Sequence, residues 1–241
     1  ERVSAGQLRR VFSAPEFGRL RLVSFSGGEP LLHPELARIV TDAAAAFPRA
    51  AVVVLTGLFD TAGLKKFLKA LPRPLLGRLL LGSSLDGPAR VHDKMRGRAG
   101  AFAALKKNHA WLKVNFPRLS TGFTFTASSV NAAYFYEAWL SARELGAPLG
   151  LQFLAPNANT AGLELKAADK KALAAAIKAV LAAGAVSRTA AAQAVSLGAA
   201  LKFLTGRTSR ACGAGKTFFM LSPDGLFYLC PFHKEIIAPL A

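Results

Sequence analysis

Ser24-Phe25-Ser26-Gly27-Gly28-Glu29-Pro30 ends one apolar stretch and leads into a helical one, and the rest of the chain repeats that step. Two adjacent glycines leave backbone amides and carbonyls unshielded at the end of a predicted strand, with a carboxylate beside them. That combination suits a ligand bearing an ammonium group. A Gly-Gly turn followed by Glu-Pro also serves as a plain strand-to-helix corner. The features downstream bear on which of the two it is.

Residues 19–26 read as a buried strand and 34–47 as a helix with apolar positions at Leu36, Ile39, Val40 and Ala43. Residues 50–55, rich in β-branched side chains, end at Thr56-Gly57, and 61–71 read as a helix that stops before Pro72. Leu79–Ser84 is a third strand, closed by Leu85-Asp86-Gly87-Pro88 and followed by an amphipathic helix over 99–116. A fourth strand over 121–126, a helix over 132–145 stopped by Gly146 and a fifth strand over 148–154 complete the series. Serial β-then-α cycles predict an α/β fold with a parallel sheet and crossover helices, either an open doubly wound sheet or a barrel segment. The turns at 27–29, 56–57, 84–87 and 126–131 all sit at carboxyl ends of strands, where such folds place ligands.

Residues 163–204 are alanine-rich and lysine-dotted, with no acidic residue after Asp169. They predict one or two helices broken near Gly184, with a second interruption at Gly198. Beyond Gly206 the pattern changes to 218–222, a Pro223-Asp224-Gly225 turn and 226–229, a β-hairpin bracketed by Cys212 and Cys230.

Of the 241 residues 52% are hydrophobic, enough for a sizeable core, yet no apolar run approaches the roughly 18 residues that cross a bilayer. The chain begins at Glu1 with no charged leader and apolar segment behind it, so no signal peptide and no membrane partner are expected. Two cysteines make no disulfide framework at this length, which points to a reducing, cytoplasmic setting. The formal net charge of +17 favours polyanionic partners or acidic peptides. A basic surface without a specific partner is equally consistent, because the charges are spread along the chain and not interleaved with aromatics.

Taken together, Phe25-Ser26-Gly27-Gly28-Glu29-Pro30-Leu31-Leu32, Ser84-Leu85-Asp86-Gly87-Pro88 with His92-Asp93 and Arg96-Gly97 downstream, and the terminal cysteine hairpin resemble the radical S-adenosylmethionine enzymes. The nearest branch is the one with a cysteine-rich (SPASM or twitch-type) C-terminal extension, which includes sulfatase-maturing and peptide-modifying enzymes. The resemblance covers nearly the whole chain. It implies a partial (β/α)6 TIM-like barrel over residues 1–160, a helical segment over 161–206 and the start of the extension over 207–241. It also implies that S-adenosylmethionine is the cofactor, held by Gly27, Gly28 and Glu29 at its ammonium, with Pro30, Thr56, Ser84 and Arg96 at further cofactor contacts. Thr56 falls where the family commonly has Thr-Asn-Gly, and here Gly follows directly. A guanidinium opposite the methionyl carboxylate is chemically apt, since its planar fork matches two oxygens. A solvated charge or an ion pair with Asp93 is the plainer role for Arg96. Gln152 on the fifth strand is a further pocket residue, and His92 is structural.

The resemblance further implies a [4Fe-4S] cluster, an auxiliary iron-sulfur cluster with Cys212 and Cys230 among its ligands, and a reductant such as flavodoxin or ferredoxin. Cys212, twelve residues, Gly225, four residues and Cys230 follow the opening of the family's extension. Two thiolates are too few for a cubane cluster, and a pair of small buried residues flanking a hairpin is the alternative. Pro231 stands where sulfatase-maturing enzymes carry an aspartate, which argues against that activity. The Cys-x3-Cys-x2-Cys loop that holds the family's catalytic cluster is missing, so the chain by itself is expected to be inactive. Either the sequence is an internal piece of a longer enzyme, the reading the resemblance favours, or it is a relative that kept the barrel without the chemistry. The expected activity is radical modification of a peptide or protein substrate. Its alternatives are a noncatalytic module binding an acidic peptide or RNA, or an RNA-modifying radical enzyme.

Overall fold

The computed structural model describes residues 3–154, 160–183, 188–207, 214–230 and 233–239. The chain opens with α1 (Ala5–Phe12), whose start is fixed by Ser4: its hydroxyl accepts from Gln7 N while the Gln7 side chain accepts from Ser4 N. A 3-10 turn (Pro15–Phe17) leads into β1 (Leu22–Phe25), a second (Pro30–Leu32) into α2 (Leu36–Ala46), and then come β2 (Ala51–Leu55), α3 (Thr61–Ala70) and the short α4 (Arg73–Leu76). The series continues through β3 (Leu79–Ser84), α5 (Ala89–Arg96), α6 (Ala101–Asn115) and β4 (Ser120–Ala127). A 3-10 turn (Ala132–Tyr134), α7 (Phe135–Glu144) and β5 (Leu149–Phe153) end the sheet, and α8 (Ala167–Ala182) and α9 (Arg188–Leu204) follow.

The five strands pair in parallel in the order β1-β2-β3-β4-β5 and curl into a half-barrel. The expectation of a mixed α/β fold with a barrel-like parallel sheet holds at that level. Among the described residues the sheet has five strands, one fewer than a (β/α)6 barrel. Strand positions differ from the expected ones by three residues at most, and α5 is a helix between the third strand and the helix expected over 99–116. Gly198 lies inside α9 and does not interrupt it, because Leu197 and Ala200 are buried on either side and their packing outweighs the roughly 1 kcal/mol that glycine costs a helix. The C-terminal hairpin is a three-stranded antiparallel sheet of β6 (Met220–Leu221), β7 (Leu226–Cys230) and β8 (His233–Pro239). Phe219 of this region stacks on Phe17, ring centroids 5.0 Å apart, which ties the small sheet to the turn before β1. Gly184, Cys212 and Pro231 lie outside the described residues.

Helices cover one face of the half-barrel. Val52, Val54, Leu79 and Leu81 point to that face and pack with Leu64, Leu68 and Leu112, while Phe123, Phe125 and Leu149 pack with Phe135, Leu173 and Ile177. The alternate positions of the same strands point the other way, and they are Ser24, Leu55, Gly82, Ser84, Thr124, Thr126 and Gln152. Towards the carboxyl ends of the strands that second face is small and polar except at Leu55, which is 40% exposed, while Leu22, Val53 and Leu80 lie on it nearer the amino ends. Arg78 fastens the turn between α2 and β2 from behind, donating to the carbonyls of Ala44, Phe47 and Ala50 at 3.2, 2.7 and 2.8 Å.

His109 of α6 is buried between helix and sheet, its Nε2 3.0 Å from Thr121 Oγ1 and its ring against Phe123. Burial disfavours the imidazolium, and Lys113 adds repulsion, so its pKa falls to about 4. The unfolded chain takes up a proton near pH 6.5 that the fold refuses until about pH 4, so stability is lost as pH falls through that window. The loss approaches 3 kcal/mol at the acid end, on the order of 1.4 kcal/mol per unit. His109→Gln removes the titration, and urea unfolding at pH 7.5, 6, 5 and 4 should show the stability gap between wild type and variant closing as pH falls.

Candidate functional site

The carboxyl ends of β1 to β5 and the turns after them line a cavity of about 480 Å³ on the face turned away from the helices. Gly27, Gly28, Glu29, Thr56, Ser84, Arg96 and Gln152 all contribute to its wall. Pro30 is not part of the wall. It is buried at the start of the 3-10 turn that follows Glu29. Cys230 is buried and unpaired on β7, away from this wall, and Cys212 is not among the described residues.

Glu29 joins the first two strand ends. Its Oε1 accepts from Leu31 N at 3.1 Å and its Oε2 from Gly57 N at 2.8 Å. A carboxylate has about four acceptor positions, so two bonds leave capacity for a ligand cation. Gly27 has φ +148, a conformation that side chains rarely adopt, and a Cβ built at either Gly27 or Gly28 would meet nothing within 4 Å. The space beside both glycines is open cavity. Across from them, the turn after β2 holds Leu58 in the left-handed region at φ 54. That strain, on the order of 1–2 kcal/mol, is offset by the full burial of the Leu58 side chain and by Asn108 Nδ2 donating to its carbonyl at 2.7 Å. The Thr56 hydroxyl accepts Leu58 N at 3.2 Å, so it shapes the turn that brings Phe59 to the cavity.

The turn after β3 is held from three sides. His92 Nδ1 accepts Asp86 N at 3.2 Å, Asn131 Nδ2 donates to Asp86 O at 3.3 Å, and Gly87 packs so closely on Val91 and Tyr134 that a Cβ there would sit 3.0 Å from Val91 Cγ1. The fully buried Asp86 carboxylate accepts through Oδ2 from Arg96 Nε at 2.7 Å and Nη2 at 2.5 Å. Arg96 therefore pairs with Asp86 and not with Asp93. Asp93 instead accepts Gly100 N at 2.7 Å and Phe102 N at 2.8 Å, and those two bonds hold its carboxyl below the usual carboxylate range. With Nε and Nη2 committed, the Nη1 end of Arg96 remains for a ligand at the cavity wall.

Ser26, Phe59, Ser83, Met95, Arg98, Thr124 and Thr126 also line the cavity and were not singled out from the sequence. Thr124 and Thr126 were legible in the alternation of β4, which turns them away from the helices. Ser83 carried no such signal. It is buried, and its Oγ has no hydrogen-bond partner among the described residues, as is also true of Asp86 Oδ1. Orphaned polar atoms at one strand end are the usual mark of a group meant to be met by water or a ligand.

Removing the Asp86 carboxylate leaves a partly buried guanidinium without its partner, so Asp86→Ala should lower stability by about 3 kcal/mol in chemical denaturation. Glu29→Ala, which frees two part-buried amides, should lower it by about 1–2 kcal/mol, and a smaller effect for Asp86 than for Glu29 would contradict this ranking. No protein-family model matches the chain, and no curated protein matches it either.

Proposed function

We propose that this chain is the S-adenosylmethionine-binding half-barrel of a radical S-adenosylmethionine enzyme that modifies a peptide or protein. One observation carries the reading: seven residues picked out across 126 positions of sequence, from Gly27 to Gln152, line one cavity. The donor set suits a methionyl group. Glu29 and the open backbone of Gly27 and Gly28 would face the ammonium, and Nη1 of Arg96 would take the carboxylate. The Ser83 hydroxyl is a buried donor awaiting an acceptor.

Bound S-adenosylmethionine supplies a sulfonium carbon that is activated for bond cleavage. These residues bind and orient it. Asp86 fixes the guanidinium plane before the ligand arrives, and Glu29 ties the first two strand ends together. The iron-sulfur clusters do not fit the residues present. The sequence has two cysteines, fewer than the three of a cluster-binding loop, and Cys230 is not part of the cavity wall. The 241 residues thus provide a cofactor pocket, and no electron-transfer step is assigned to them.

Binding of S-adenosylmethionine to the 241-residue protein, read by saturation-transfer NMR and equilibrium dialysis, tests the reading. Wild type should bind, and Arg96→Ala should bind about tenfold more weakly or worse. Gly28→Leu should abolish binding by filling the cavity while shifting the unfolding free energy by no more than about 0.5 kcal/mol, as for an unhindered surface site. Wild-type protein that shows no binding at millimolar ligand, or a Gly28→Leu variant that binds as well as wild type, would sink the proposal.

A further inference from the structure

The cavity wall carries two guanidinium groups and one carboxylate, and among the described residues only one of the guanidinium groups is paired with a carboxylate. Arg96 is committed to Asp86. Arg98 pairs with no carboxylate among the described residues. Its guanidinium carbon instead lies 4.8 Å from the centre of the Phe59 ring, and both side chains line the cavity. A guanidinium stacked on an aromatic face keeps its in-plane N–H edges free while losing the freedom to swing away.

The backbone under Arg98 is equally well held. Gly97 and Gly100 both adopt left-handed conformations, at φ 60 and 77, and Asp93 clamps the loop between them through the amides of Gly100 and Phe102. The acidic groups nearby are all engaged elsewhere. Glu29 bonds the amides of Leu31 and Gly57, Asp86 is fully buried against Arg96, and Asp93 is on the backbone. A positive charge is thus held beside Phe59 at the cavity, with no carboxylate partner among the described residues.

The geometry points to Arg98, supported by Phe59, as a subsite for a carboxylate of the substrate, an acidic side chain of a peptide entering the cavity. The assignment rests on the proposed cofactor reading only in that Arg96 and Glu29 are left to the other ligand. A peptide carboxylate fits better than RNA. Phe59 is the only aromatic residue lining the cavity among the described residues, and one of its faces carries Arg98, whereas single-stranded nucleic acid is gripped by successive bases stacking on several aromatic side chains. The net charge of +17 draws any polyanion toward the surface, so the local effect of Arg98 must be separated from that general attraction.

Fluorescein-labelled pentaglutamate and pentaglutamine, followed by anisotropy at low ionic strength with the 241-residue protein, make that separation. Pentaglutamate should bind and pentaglutamine should not. Arg98→Ala should weaken pentaglutamate about tenfold, Arg98→Lys should recover part of the loss, and Phe59→Ala should weaken it about threefold. Lys178→Ala, which removes the same charge from the exposed side of α8, should have little effect. Arg98→Ala should leave S-adenosylmethionine binding unchanged, whereas Arg96→Ala should reduce it. The subsite is overturned if Arg98→Ala does no more than Lys178→Ala, if pentaglutamate does not bind, or if pentauridylate displaces the peptide and depends equally on Arg98. Loss of the S-adenosylmethionine arm in wild type with the Arg98 effect intact would remove the cofactor reading and leave the carboxylate subsite standing.

Discussion

Parallel pairing is the constraint from which the site follows. From Leu22 opposite Ala51 through to Phe123 opposite Leu149, every strand of the half-barrel runs in the same direction, so every carboxyl end arrives at one edge. Each crossover helix must then start from that edge. Its turn brings unpaired backbone groups and a few polar side chains into a shared space. Helices pack on one face because Val, Leu and Phe alternate toward it, and the opposite face, near the carboxyl ends of the strands, keeps mostly glycine, serine and threonine, which leave room for a ligand.

Those strand-end turns are held by bonds between them as well as within them. Glu29 reaches from the first to the second, Asn108 from α6 to the second, and Asn131 from the fourth to the third. Each such bond satisfies a backbone group that would otherwise be buried without a partner, at a cost of about 1–3 kcal/mol. The same bonds place the functional groups. The strained turn at Leu58 presents Phe59, and the pinned turn at Asp86 presents Arg96, so stability and site geometry depend on the same few contacts.

Charge is arranged in a similar way. Asp86 is withdrawn from water, which is unfavourable unless it is paired, and Arg96 supplies the pairing while remaining 31% exposed. Asp93, five residues before Arg98, is spent on backbone amides. The chain thereby neutralises one guanidinium at the cavity and leaves the other available.

The alternation of apolar and polar positions, together with Gly-Gly, Thr-Gly and Asp-Gly at the strand ends, was enough to set the parallel α/β class and the strands to within three residues, because side-chain periodicity and turn chemistry are local properties. The strand-end turns at 27–29, 56–57 and 84–87 could be placed at one edge because topology alone brings the carboxyl ends of a parallel sheet together, whereas Arg96, at the end of α5, was named only through the family resemblance. Pairings across the fold were not readable in this way. Asp93 stands closer in sequence to Arg96 than Asp86 does, yet Asp86 is the partner, because the turn after β3 buries its carboxylate beneath α5 while Asp93 faces the loop ahead of α6. Arg98 on Phe59 depends on two loops 39 residues apart meeting at one wall, and the orphaned Ser83 hydroxyl depends on what fails to approach it. Distance, burial and unmet hydrogen bonds are properties of the packed molecule, and only the tertiary structure decides them.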